Sequence, residues 1–165
     1  MGLYRAALAL LWPVSRVRAA LAPPRPHPRS VLHISYMVHI PYRTTRILRR
    51  FGVRADYLAV GDSAVWDKSD YQIVPSICPV TQAVREWRLF WNVVSRYEVL
   101  HLHFLMTMSV SGWELPLLKR LGRRLVFHYR GCEARDPDLN ARLHPEANLC
   151  EDCDYDREAC TDPLI

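Results

Sequence analysis

The stretch VLHISYMVHIPYRTTRILRRFGVRADYLAV, residues 31–60, decides the fold class of this chain. Its first five residues, 31–35, are rich in β-branched and other apolar side chains, which is typical of a short strand. Pro41 can begin a helix, Gly52 can end it, and residues 55–60 are again mostly apolar. The stretch therefore predicts a strand, a helix and a second strand, which is the repeating unit of a parallel sheet.

The rest of the chain continues this alternation of strands and helices. Further strands are predicted over 71–74, 98–104 and 124–129, and further helices over 79–96 and 112–121. In the helix that Pro41 begins, we expect a buried stripe of Ile40, Ile47, Leu48 and Phe51. Because the connecting helices have ten or more residues, the strands should run parallel with right-handed crossovers. The predicted fold class is α/β: a Rossmann-like open parallel sheet flanked by helices.

Charge divides the 165 residues into three regions. Residues 1–55 contain ten arginines and no acidic residue, whereas residues 133–165 contain ten acidic residues against three arginines. We predict an N-terminal extension over 1–28, a Rossmann-like domain over 29–135 and an acidic, cysteine-rich tail over 136–165. Nucleic acid is disfavoured as a partner, because no basic–aromatic repeat or recognised binding motif accompanies the basic charge. An anionic membrane surface or a phosphate-bearing substrate fits the placement of that charge equally well.

The N-terminal extension has the pattern of a short amphipathic helix. Three- and four-residue spacing puts six apolar residues on one helical face: Leu3, Ala7, Leu10, Val14, Val17 and Leu21. No stretch of the chain reaches the roughly 18–20 apolar residues of a membrane-spanning helix. Arg16 and Arg18 also interrupt the pattern of a secretory signal peptide. Two interpretations stay open: a poorly ordered extension, or a helix on an anionic membrane surface in a cytoplasmic, peripheral protein.

The carboxyl ends of the predicted parallel strands mark the expected ligand site. Four loops follow those ends, over 36–42, 61–64, 105–112 and 130–135. Sequence motifs of dinucleotide-binding Rossmann folds, P-loop proteins, α/β-hydrolases and H-E-x-x-H zinc proteases are absent from the sequence. The site must therefore be found from the polar residues at these strand ends.

Histidines stand at the ends of two of the predicted strands. His101 and His103 are two residues apart, so their imidazoles share one face and could bind a metal, a phosphate or sugar hydroxyls. The alternative is that one of them is a hydrogen-bonded interior residue. His128 closes the next strand, and Arg130 after it offers five donors to phosphate or hydroxyl oxygens. An ordinary strand-end turn is the alternative there.

Three segments resemble the N-terminal domain of GT-B glycosyltransferases of the family 4 type. They are residues 31–60, the run VLHLHF over 99–104 and the run VFHYRGCEAR over 126–135. The resemblance covers about residues 30–135 and implies sugar transfer from a nucleotide-sugar donor to a hydroxyl-bearing acceptor. The family's second Rossmann-like domain, which holds most of the nucleotide-sugar site, has no counterpart in these 165 residues. We therefore expect an incomplete enzyme, inactive alone, that needs this domain in trans.

The resemblance also suggests which residues handle the substrates. The loop after the first strand and the His128 region would face the cleft and contact the acceptor or the donor sugar. Our candidate catalytic residue is His128, and the candidate substrate-binding residues are His39, His103, Arg130 and Glu133. The rival interpretation, from a different functional class, is a non-catalytic Rossmann-like binding module whose cysteine-rich tail is held by a metal.

Four cysteines in the last third of the chain have a spacing that suits a metal site. Cys132, Cys150, Cys153 and Cys160 form the pattern C-x17-C-x2-C-x6-C. A C-x2-C pair can present both thiolates to one tetrahedral ion, and two further cysteines complete the four ligands. We expect a structural zinc ion, which would order a segment with few apolar residues. An iron–sulfur cluster, disulfides or unpaired thiols remain the alternatives.

Overall fold

The structure, a computed structural model, is an alternation of helices and strands. It describes residues 2–21, 25–36, 39–61, 68–104, 106–109, 111–129, 136–143 and 145–147. The helices of this part are α1 (Gly2–Leu21), α2 (His39–Arg50), α3 (Pro79–Val94), α4 (Leu115–Arg120) and α5 (Pro137–Leu143). The strands are β1 (His27–Ser35), β2 (Arg54–Val60), β3 (Tyr71–Ile73), β4 (Tyr97–His103) and β5 (Arg124–His128). A single 3-10 turn, Pro145–Ala147, follows α5.

The five strands form one parallel sheet in the order β3-β2-β1-β4-β5. The chain adds strands outward from β1 to β3 and then returns to the other side of β1 to add β4 and β5. The strand order therefore reverses between β1 and β4. The prediction of a Rossmann-like parallel sheet flanked by helices is confirmed.

The apolar core lies between one face of the sheet and the helices α1, α3 and α4. The strands contribute Leu32, Ile34, Leu58, Leu100 and Leu102, and the helices contribute Phe90, Trp91, Val94, Leu117 and Leu118. Alternate strand residues point to the same side, so each strand gives the core every second side chain. Helix α2 packs on β1 and β2 and gives no residue to this core, so it lies on the opposite face.

Helix α2 uses a different face from the one that its apolar residues predicted. Pro41 and Thr45 are buried and Leu48 of the predicted stripe is partly buried, whereas Ile40 and Ile47 are exposed and Phe51, in the turn after the helix, is 80% exposed. Helix α2 packs mainly on strand β2. Because β2 has small buried side chains such as Ala55, the helix can pack closely on the strand through a narrow face. The Thr45 hydroxyl donates to the carbonyl of Pro41 at 2.7 Å and needs no other partner.

Helix α1 packs on α3 and leaves its apolar stripe outside. Tyr4 and Ser15 are its buried residues, and Trp12 and Ala19 border the core. Five members of the stripe predicted from the spacing are exposed: Leu3, Leu10, Val14, Val17 and Leu21. The two interpretations drawn from the sequence, a poorly ordered extension and a helix on an anionic membrane surface, did not include this packing on α3. The helix thus joins the protein through one face and offers another to the surroundings.

Candidate functional site

Four histidines from three neighbouring strands gather on one face of the sheet, and we call them the histidine cluster. His33 of β1 pairs in register with His101 of β4, and His103 of β4 pairs with His128 of β5. Residues paired in register on parallel strands point to the same side, as do alternate residues of one strand. The register therefore puts all four imidazoles on the face opposite the apolar core.

The imidazole rings of the histidine cluster contact one another. The ring centroids of His101 and His103 are 4.2 Å apart with stacked planes, and those of His103 and His128 are 5.1 Å apart. His33 lies 4.9 Å from His101, and its Nδ1 is 3.2 Å from Nε2 of His103. Only one proton can lie between these two nitrogens, so one imidazole donates and the other accepts.

Burial keeps part of the histidine cluster uncharged at neutral pH. Burial lowers the pKa of His33 to about 3, and repulsion from His101 adds to this effect. The pKa of His101 is also lowered, first by burial and then by repulsion from His128. Neutral imidazoles each keep a lone pair. These two side chains can therefore accept a hydrogen bond from a hydroxyl group or bind a metal ion.

The histidine cluster is closed on one side and open on the other. His33 and His103 are buried, whereas His101 and His128 are only partly buried. Val126, which pairs with His101 on the same face, is 43% exposed. In the part of the chain that the structure describes, α2 covers this face over β1 and β2. A ligand could therefore reach the cluster from the side of β5.

The carboxyl edge of the sheet is shaped by the loop that follows β4. The ring of Phe104 lies 5.3 Å from that of Tyr36, which follows β1. Phe104 has a φ of 57°, in the left-handed region that residues other than glycine rarely adopt. Glu114 holds the loop by accepting hydrogen bonds from the backbone of Met108 at 2.8 Å and of Ser109 at 3.2 Å. The loop is thus fixed beside the reversal of strand order.

Two of the residues predicted as site residues come together, and the others do not. His103 and His128 lie side by side in the histidine cluster. His39 is exposed at the first residue of α2, and no contact joins it to the cluster among the described residues. Two substrate-binding candidates, Arg130 and Glu133, lie outside the described residues, as do the four predicted zinc ligands Cys132, Cys150, Cys153 and Cys160.

One member of the histidine cluster was missed by the sequence analysis. His33 lies in the middle of an apolar strand, and nothing in its local pattern distinguishes it from a packed interior residue. The signal exists only in the pairing of β1 with β4, which brings residues 68 positions apart into register. Strand order must be known before this pairing can be predicted.

A second candidate surface is the outer side of α1, which a buried polar network holds in place. Tyr4 donates to the buried carboxylate of Glu86 on α3, and Trp87 Nε1 donates to Ser15 Oγ at 2.8 Å. Burial raises the pKa of Tyr4 to about 12, and its hydrogen bond to Glu86 acts in the same direction. The Arg18 guanidinium lies 4.5 Å from the ring centroid of Trp91. These contacts fix which face of α1 stays exposed.

A groove of about 270 Å³ lies between α1 and α4. Its lining combines apolar side chains with two arginines: Arg16, Ala19, Ala20, Leu117, Arg120 and Leu121. Among the described residues, no carboxylate lies within ion-pair distance of Arg16 or Arg120. The groove therefore presents two guanidinium groups next to apolar surface.

Comparison of the chain with protein-family models, with curated proteins and with solved structures gave no match. Within the described ranges, none of the helices combines the length and the hydropathy needed to cross a membrane.

Proposed function

We propose that this chain supplies one wall of a glycosyltransferase cleft, in which a sugar passes from a nucleotide-sugar donor to a hydroxyl-bearing acceptor. The observation that carries the proposal is the reversal of strand order between β1 and β4, with the histidine cluster beside it. In open parallel sheets, such a reversal leaves a crevice beyond the carboxyl ends of the strands, where ligands bind. The resemblance of residues 31–60, 99–104 and 126–135 to sugar-transferring domains supports the same conclusion.

The proposed chemistry assigns His128 to the acceptor. In its neutral form, its imidazole can take the proton of the acceptor hydroxyl while that oxygen attacks the anomeric carbon of the sugar. The nucleotide diphosphate leaves with the electron pair of the broken glycosyl bond. His103, buried against the His128 ring, would position that imidazole for the sugar, and Arg130 would offset phosphate charge. His39 and Glu133 remain candidate contacts to the acceptor or donor.

The test of this function supplies a second domain of the kind that the resemblance implies. A donor-binding domain of the GT-B type is fused to the chain or added in trans, and sugar transfer from a panel of nucleotide sugars is measured. We expect no measurable transfer by the chain alone, because removing one set of donors that stabilise developing charge costs roughly 100- to 1000-fold in rate. Transfer should appear with the second domain and fall when His128→Ala is introduced. Robust transfer by the 165-residue chain alone would show that the missing-half interpretation is wrong.

The same experiment separates the enzyme from its rival, a non-catalytic Rossmann-like binding module. A binding module would bind a sugar or nucleotide through the same crevice but would give no transfer with any second domain. The matched control is His27→Ala, because His27 is exposed at the start of β1, at the opposite end of the strand from the crevice. Equal loss of transfer in His27→Ala and His128→Ala would point to a general effect on folding instead of a role at the site.

We further infer that the outer side of α1 attaches the protein to an anionic membrane surface. Five exposed apolar side chains of α1 supply area to bury between lipid chains. The ten arginines of residues 1–55, unaccompanied by any acidic residue, add long-range attraction. A cytoplasmic location fits this proposal, because anionic lipids concentrate in the cytoplasmic leaflet.

A further inference from the structure

We propose that His33, His101 and His103 form a binding site for a zinc ion on the open face of the sheet. This site is separate from the four cysteines near the end of the chain and does not depend on the sugar-transfer proposal. It rests on the arrangement of three imidazoles from two neighbouring strands. Imidazole nitrogen is a preferred ligand of zinc, and three histidines with one open position are the ligand set of some catalytic zinc sites.

The spacing of the ligand atoms suits one small cation. One ring nitrogen from each of His33, His101 and His103 lies within 4.8 Å of the other two. The His33 Nδ1 and His103 Nε2 atoms are 3.2 Å apart. Two ligands of a tetrahedral zinc ion with Zn–N bonds of 2.0–2.1 Å are separated by about 3.3 Å. This pair therefore already has the separation of two bound ligands, and the ligand atom of the partly buried His101 lies within 4.8 Å of both.

A buried ring nitrogen of the cluster is also open to bonding by a cation. His33 is 1% exposed, and its Nε2 has no hydrogen-bond partner within the described ranges. A buried polar atom without a partner costs stability, so such atoms are uncommon in folded proteins. Turning the ring over exchanges each nitrogen with a ring carbon, and this choice of orientation is assigned from the hydrogen-bond network. A zinc ion would replace one shared proton between two imidazoles with a bond to each of them.

The fourth coordination position faces the open side of the cluster. His128 stacks on His101 with ring centroids 5.5 Å apart, and it is only partly buried. It can complete the coordination itself or hydrogen-bond a water molecule bound to the ion. In the second case the ion would lower the pKa of that water and would accept an anionic oxygen in its place.

The experiment measures zinc binding with the cysteine site removed. The four cysteines Cys132, Cys150, Cys153 and Cys160 are replaced by serine in the full chain, the protein is freed of metal, and zinc and cobalt are titrated separately. We expect one equivalent of zinc and a cobalt d–d absorption spectrum without a thiolate charge-transfer band. His101→Ala should lower the zinc affinity at least tenfold, since it removes one of three ligands. His27→Ala should leave zinc affinity unchanged, because that histidine is exposed and outside the cluster.

Each result decides the proposal. If the cysteine-free chain binds no zinc at micromolar concentration, or if His101→Ala binds it as tightly, the proposal is overturned. If His101→Ala does not fold, the cobalt spectrum of the chain with intact histidines still decides, because tetrahedral coordination by imidazoles without thiolate gives a distinctive d–d spectrum and its absence contradicts the site.

Discussion

The two faces of the sheet differ in what their alternate residues do. Along β4, Leu100 and Leu102 point into the core under α3 and α4, while His101 and His103 point to the opposite face. Parallel sheets are normally covered on both faces and read as continuous apolar strands. Here one face has helices along it, and the other, over β4 and β5, carries imidazoles and a partly exposed valine in the described part of the chain. The face that packs on the helices stabilises the fold, and the face that carries the histidine cluster is where a ligand can bind.

The largest expected effect comes from comparing substitutions at two adjacent residues of β4, one on each face of the sheet. Leu102→Ala should lower the free energy of unfolding by about 2–5 kcal/mol, because it leaves a cavity in the apolar core. His101→Ala should lower it by about 1 kcal/mol or less in metal-free protein, since His101 is only partly buried. Urea unfolding of both variants measures the difference. Equal losses in the two variants would mean that the histidine face is as important to packing as the core.

A pH titration tests the loop that runs from the histidine strand β4 to α4. Burial raises the pKa of Glu114, so the folded protein holds this proton more tightly than the unfolded chain. The resulting stabilisation is present below about pH 4.5 and is lost as pH rises through the folded-state pKa, at about 1.4 kcal/mol per pH unit. Glu114→Gln should lack this slope when unfolding free energy is measured from pH 4 upward. Parallel curves for the wild type and the variant would contradict the pKa shift.

The docking of α1 on the covered side of the sheet should depend on Tyr4. Tyr4→Phe removes the hydrogen bond to the buried Glu86 and should cost about 1–3 kcal/mol of stability. The effect should be concentrated in α1, so hydrogen exchange of its amides should speed up more than that of β4. Val17→Phe, on the exposed stripe, is the matched control and should leave exchange in α1 unchanged. Uniform acceleration over the whole sheet would show that α1 is not a separate cooperative unit.

The smallest expected effect concerns the exposed stripe of α1. The double change Leu10→Ser and Leu21→Ser should weaken binding to anionic vesicles about tenfold, because two apolar side chains no longer enter the lipid. Phe51→Ser removes an equally exposed apolar side chain from the turn after α2 and should have no effect. Vesicle co-sedimentation at low and high salt measures both, and added salt should weaken wild-type binding. Equal vesicle binding by the wild type, the double variant and Phe51→Ser would contradict the proposal that α1 binds a membrane.

Local sequence patterns predicted much of the fold, because each element carries its own signal. Residues 31–60 give the strand, helix and strand in the order found, and Gly52 ends its helix with a φ of 74°. The faces of α1 and α2 were not predictable in the same way. Apolar residues on these helices lie outside, and the buried faces use Tyr4, Ser15 and Thr45. Tyr4 and Ser15 bond to side chains of α3, which local patterns do not show, and Thr45 bonds to a carbonyl of its own helix.

The candidate site was predictable only in part, for a related reason. His101 and His103 share a face by strand periodicity alone, which the spacing of two residues makes visible. The contact of His103 with His128 follows once the strands end at one edge of the sheet. The contribution of His33 depends on the register of β1 against β4, which is a long-range property. Local patterns therefore indicate which residues of one strand share a face, but they do not indicate which strands become neighbours.

The most direct test of the central claim is a nuclear magnetic resonance titration that follows the histidine ring protons. The claim is that a nucleotide sugar binds beside β1 and β4 at the open end of the histidine face. Adding a nucleotide sugar to the full chain should shift the ring signals of His103 and His128, with weak affinity, and should leave those of His27 unchanged. Shifts confined to His27 or to α1, or no shift at millimolar ligand, would contradict the account.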